Sequence, residues 1–257
     1  YEALIAAVPE AKARAEELGA SRARASAAGL ADQLVVSGSI DAQTGQARLE
    51  PMLVVPNTAG VEPPEPGSYA LVLRGAAGAE LVRYAFAPTE SHIDGLPGSA
   101  LDDDRGGGPI LLINLVVPYV DSTTQVDLEG PGGTILTSIS PGSSRPRVTL
   151  LSPNGGETLS ADEVTVSWTS VDDDGDPLTV LVLYSPDNGQ SWSAVAQDVT
   201  GQNTVIPVSN LPAGAQALFR VWVTDGLNTA TDTSDAPFIV PNHLPEIEII
   251  EPRNGTT

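Results

Sequence analysis

Four aspartates crowd into five positions at Asp172, Asp173, Asp174 and Asp176, with Gly175 among them. Calcium takes about six to eight oxygen ligands, and carboxylates folded into a glycine-containing turn supply several at once. The spacing is not that of an EF-hand loop, because glycine falls at the fourth place and no downstream glutamate closes the site. Asp172, Asp174 and Asp176 are the expected ligands, with calcium the one cofactor implied. Asp225 joins them if its loop lies at the same end of the domain, and Asp235 is a further candidate on the same condition. A solvated acidic turn, its backbone shaped by Gly175 and Pro177, explains the same residues without an ion. Asp102, Asp103 and Asp104 make a second run, partly neutralised by Arg105.

Other chemistry is sparse. Cysteine is absent, so disulfides, thiolate nucleophiles and sulfur-bound metals are excluded. The two histidines are His92 and His243. Ser91, His92 and Asp94 have the residue types of a catalytic triad, but near neighbours in one loop cannot face one another as a triad must. No Gly-x-Ser-x-Gly elbow or His-Glu-x-x-His run occurs, and no two carboxylates are placed as a glycosidase pair. No catalytic residue is assigned, and the chain is expected not to be an enzyme. Asp+Glu outnumber Lys+Arg by 33 to 12, a formal charge of −21. That balance opposes nucleic-acid binding, which needs clustered cations to displace counterions. No run reaches the ~20 apolar residues of a membrane-spanning helix, so membrane insertion is not expected.

The elements that would position these residues are mostly strands. Residues 1–32 are the exception: alanine, glutamate and arginine dominate up to Gly29, which predicts a helical connector. Extended runs then follow at 34–40, 47–55, 68–74, 79–87, 110–117, 123–128 and 134–140, separated by Gly- and Pro-rich turns. Seven short strands without intervening helices predict an antiparallel β-sandwich over 33–141. A second set at 147–151, 164–170, 178–185, 191–196, 204–208, 217–224 and 238–240 predicts another over 146–241. Trp168, Trp192 and Trp222 all fall in the second set and are expected to share one core. The fold class is therefore mainly β: a helical segment and two antiparallel sandwiches in tandem.

An internal repeat marks the boundaries. Residues 146–156 (PRVTLLSPNGG) match residues 245–255 (PEIEIIEPRNG) in prolines, apolar pattern and closing glycine. Residues 242–257 thus read as a linker and the first strand of a further repeat, within a string of modules. The second module resembles the fibronectin type III and immunoglobulin-like domains of large secreted bacterial surface proteins. The resemblance rests on SPNGGE at 152–157, VSW at 166–168, DDDGDPL at 172–178, YSPDNGQSW at 184–192 and RVWVTDG at 220–226. It covers about residues 146–241, and the first module carries no such signature. One position departs: the tyrosine that fibronectin-type domains place soon after the Leu-Pro-Ala-Gly turn is here Ala217.

The resemblance implies structural or spacer modules of a secreted or cell-surface protein of bacterial type, stabilised by calcium if the Asp cluster binds it. The expected partners are neighbouring domains of the same polypeptide. Two alternatives remain open: the accessory C-terminal region of an extracellular peptidase or glycosidase, and an adhesin or filament subunit that self-associates by donating the strand in 245–257 to a neighbour. The opening at Tyr1, without a start methionine or apolar signal, is read as a mature product or an excised piece.

Overall fold

A computed structural model describes residues 31–58, 62–90 and 109–242. Of the predicted helical connector 1–32, residues 1–30 lie outside these residues, while Ala31 and Asp32 are not helical but open the first strand; the loop carrying His92 and Asp102–Asp104 and the repeat strand at 245–257 also lie outside. Within them the chain is mainly β, in antiparallel sheets.

The first pair of sheets uses nine strands: β1 (Ala31–Asp41), β2 (Ala47–Leu49), β3 (Leu53–Thr58), β4 (Tyr69–Arg74), β5 (Glu80–Phe86), β6 (Thr89–Glu90), β7 (Ile110–Pro118), β8 (Gln125–Glu129) and β9 (Ile135–Ile139). One sheet runs β2-β1-β7-β6, with β3 continuing the β2 edge along β1; the other runs β5-β4-β8-β9. Side chains alternate across each strand, so Leu34, Val36 and Ile40 of β1 face Leu71, Leu73, Val126 and Leu128 in a common core. The run predicted at 47–55 is two strands with a break at Met52.

The second pair comprises β10 (Arg147–Ser152), β11 (Glu163–Val171), β12 (Thr179–Ser185), β13 (Ser193–Val199), β14 (Asn203–Pro207), β15 (Gly214–Thr224), β16 (Thr229–Thr233) and β17 (Phe238–Val240). A three-stranded sheet, β10-β11-β14, faces β13-β12-β15-β16, with β17 also on β15. This three-over-four arrangement is that of an immunoglobulin- or fibronectin III-like sandwich. Trp168, Tyr184, Phe219 and Phe238 fill its core, the last three rings in mutual contact. β16 was absent from the strands expected. Its sequence, Thr-Ala-Thr-Asp-Thr, has no large apolar residue, and only its ladder to β15 defines it.

The departure at Ala217 has a compensation. Ala217 is fully buried, and the Tyr184 hydroxyl, coming from β12, donates to the Pro212 carbonyl at 2.6 Å. The neighbouring strand therefore supplies the phenol that ties down the turn before β15.

Two tryptophans are not in that core. Trp192 and Trp222 lie with Leu183 and Leu218 on the outer face of the β12 sheet, packed against Val35 and Val55 of the β1 sheet. Alternation explains it: Val221 and Val223 point inward, so Trp222 must point out. Four sheets consequently stack in the order β4, β1, β12, β11, with three apolar layers between them. The two sandwiches are packed face to face.

Candidate functional site at the junction

The acidic turn follows β11 and precedes β12. Gly175 takes φ +79°, the left-handed conformation such a tight turn needs, and the Asp174 N–H donates to Asp172 Oδ1 at 2.8 Å. Asp172, Asp174 and Asp176 come together, with one carboxylate oxygen of each within 4.8 Å of the others. Asp173 points away and takes both guanidinium nitrogens of Arg147 at 2.9 and 2.7 Å. Hydrogen bonding by Arg147 holds the Asp173 carboxyl below its ordinary range.

The trio also holds the connector between the sandwiches. Asp176 accepts the Gly142 N–H at 2.6 Å and Asp174 accepts the Ser144 N–H at 2.5 Å. A β-carbon at Gly142 would run into the Asp174 carboxylate, so only glycine lets the connector approach this closely. Asp172 Oδ2 is buried and accepts no hydrogen bond. Chemically, the turn is an acceptor cluster with three oxygens committed to backbone N–H groups and a fourth buried without a donor.

Asp225 lies at the same end, because Thr224 pairs with Thr179 across the ladder. Its carboxylate is occupied in its own turn, accepting from Leu227 N, Asn228 N and Asn228 Nδ2 at 2.9, 2.7 and 2.7 Å. Burial, with the charge of Asp172 adding, pushes its carboxyl up from the ordinary value despite those bonds. It stands beside the trio without extending it. Asp235 is at the opposite end, where it accepts from Asn154 beyond the end of β10.

The β15–β16 turn that Asp225 organises docks into the first sandwich. Thr224 Oγ1 donates to the Met52 carbonyl at 2.7 Å, the Met52 N–H donates to Gly226 O at 3.0 Å, and the Val54 N–H donates to Thr229 Oγ1 at 2.9 Å. These bonds take the backbone groups of Met52 that a continuous β2–β3 strand would need, which is why the strand breaks there. Leu227, at the tip, is fully buried in the core of the first sandwich. Sequence reading missed this residue, since a leucine between Asp225 and Asn228 looks like an ordinary loop position.

In the apolar layer alongside, Arg220 lies 4.2 Å over the Trp192 ring and its Nε donates to Thr233 at 2.6 Å. Burial lowers the Arg220 guanidinium to about 10. Gln33 enters the same region fully buried, with neither side-chain polar atom hydrogen-bonded.

The opposite face of the stack holds a charge network that sequence reading also missed. Asp127 is fully buried on the outer side of the β4 sheet and pairs with Arg74 at 2.5 Å; Glu129 bridges Arg74 and Arg83 at 3.1 and 2.6 Å. Burial works to raise the Asp127 carboxyl, but hydrogen bonds from Ser138, Gln125 and Arg74 outweigh it and hold it low. The legible signal was Asp127 and Glu129 alternating with apolar residues in a short strand.

No model of a known family matches the chain, and no curated protein matches it. Among solved structures it is similar to the FN1–FN3 domains of chicken CNTN1, at 13% identity and a TM-score of 0.25, covering 80% of this chain and 63% of that one. It is similar to the N-terminal four Ig domains of Dscam1 isoform 1.9, at 10% identity, TM-score 0.25, 83% and 47% coverage. A further Dscam structure bearing on isoform specificity gives 14% identity, TM-score 0.26, 77% and 52% coverage. The chain thus spans less than two thirds of each of these. The strand order set out above, not these loose superpositions, defines the sandwich fold.

Proposed function

We propose that the chain is a structural spacer, two sandwiches locked into one stiff unit of a secreted or cell-surface multidomain protein, without catalysis of its own. The observation that carries this reading is the junction: Leu227 in the neighbouring core, three hydrogen bonds at Met52 and Val54, and an apolar layer between the sheets. A spacer must keep its ends at a fixed separation, and an interlocked junction removes the hinge that tandem domains otherwise have. Calorimetry of the whole chain tests it. One cooperative transition spanning both sandwiches is expected, and two independent transitions would overturn it. Peptidase or glycosidase turnover abolished by one point substitution would overturn the non-catalytic part.

A second reading adds calcium at Asp172, Asp174 and Asp176. What favours it is the convergence of three carboxylate oxygens with Asp172 Oδ2 buried and undonated. An ion there would screen the mutual repulsion of groups that already grip the connector. Binding to the folded state alone stabilises by RT ln(1 + [L]/Kd), so millimolar calcium on a weak site gives about 1–2 kcal/mol. Melts with calcium and with EDTA, repeated on Asp174→Ala, test this against magnesium at equal ionic strength. Equal melting in calcium and magnesium leaves a plain acidic clamp.

A further inference from the structure

We propose that the outer face of the β11 sheet is a docking surface for a following module of the same kind, engaged through that module's four-stranded sheet. The inference rests on the spacer reading above and names the surface by which the stack continues. Among the described residues, seven large apolar side chains are exposed, and three of them, Leu151, Val171 and Val205 at 52, 50 and 52% exposure, lie on this one face. The outward positions between them are filled by residues such as Thr149, Thr165 and Thr169; the only charged residues within its three strands are Arg147 and Glu163, at its corners, and Arg147 is paired with Asp173. In a chain with 33 acidic residues, a charge-poor sheet face is a specific feature. The other end of the stack, with Asp127, Glu129, Arg74 and Arg83, is charged, so the two ends are unlike.

The junction already present supplies the geometry. The first sandwich ends in β9, a strand of the β4 sheet, and its other sheet receives the second sandwich. The second ends in β17, which pairs with β15 of the β12 sheet, and its other sheet is the β11 sheet, whose outer face no other sheet among the described residues covers. Immediately beyond, residues 245–255 repeat the opening pattern of the second module.

Area selects a tethered occupant over a free one. Strands of this length at ~4.8 Å spacing present roughly 300–400 Å², or roughly 600–800 Å² counting both partners. That falls in the range of about 600–1,500 Å² for interfaces between domains of one chain, and below the ~1,200 Å² of stable free complexes. A second copy in solution is therefore too weakly held, whereas a covalently linked module meets the face at high effective concentration.

The chain has no cysteine, so single thiols report burial cleanly. Val205→Cys is placed in the full chain and in the same chain extended at Pro245 by residues 147–244, chosen so that the appended copy resists protease. Thiol modification is expected to slow at least tenfold in the extended chain, and adding Leu151→Glu is expected to restore the faster rate. An equal rate in both chains would overturn the proposal. Leu183→Cys, in the layer between the present sandwiches, separates the two ideas. A slow rate there with an unprotected Val205→Cys removes the docking face and keeps the spacer, while a fast rate there removes the spacer reading itself.

Discussion

Tyr184 and Ala217 exchange roles. Ala217 leaves room where fibronectin-type domains hold a corner tyrosine, and Tyr184 fills it from the next strand. Tyr184→Phe keeps the ring and removes one hydroxyl, stranding the Pro212 carbonyl, so urea titration should show a loss of about 1–2 kcal/mol. Burial, with the charge of Asp187 adding, pushes the phenol up to about 12. The folded state thus holds the proton more tightly than the unfolded one, and stability falls as pH climbs from the ordinary tyrosine value of 10.0 towards 12. Tyr184→Phe should flatten that alkaline decline. Asp127 behaves in the opposite sense: its carboxyl is lowered, so its contribution is complete above the ordinary value of 3.8 and fades as pH falls below it. Asp127→Ala leaves Arg74 with only Glu129 and the Gly78 carbonyl to accept from it and should cost about 2–3 kcal/mol, with a shallower acid limb in stability measured from about pH 2 to 5.

At the scale of elements, the β15–β16 turn is the part whose role crosses domains. Leu227→Ala empties a site in the first sandwich's core, and buried leucine truncations cost about 2–5 kcal/mol. Hydrogen exchange should therefore speed up at β1 and β4, although the substitution lies in the second sandwich. Acceleration confined to β15 and β16 would show that the turn does not seal that core. Much of this was legible. The alternation in β1, β4 and β11 gives their extents and inward faces to within a few residues. Even the third layer left a trace: β15 reads Ala-Leu-Phe-Arg-Val-Trp-Val, apolar on both faces, as a strand buried on both sides must be. The trace was assigned to a single core because three tryptophans in one module invite it. β16 was not legible because threonine alternation without a large side chain looks like a turn. In the acidic turn, the convergence of Asp172, Asp174 and Asp176 followed from spacing. Their bonds to Gly142 and Ser144 depend on where a connector 30 residues away happens to pass, which local pattern does not encode.

Over the whole molecule, the formal charge of −21 opposes compaction by self-repulsion, which dissolved salt screens within about 8–10 Å. Raising sodium chloride from 10 to about 200 mM should raise the melting temperature, and the effect should persist in Asp174→Ala if it is general screening rather than a site. No helix among the described residues is long and apolar enough to cross a membrane. Because the apolar layer and Leu227 join the two sandwiches, separating them would expose that layer and empty the Leu227 site together.

Leu227 also sets an order of events in biosynthesis. The hydrogen bonds beside it span up to 175 residues of sequence, so Met52 and its neighbours are made long before the turn that completes their packing. While the chain is being elongated from its N-terminus, the first sandwich exists with an open apolar notch and an interrupted edge strand. Its final core closes only when the hairpin tip arrives, so the upstream half matures on a schedule set by the downstream half. A chain halted anywhere before β15 would carry that notch permanently, exposed to whatever binds unfinished β-structure.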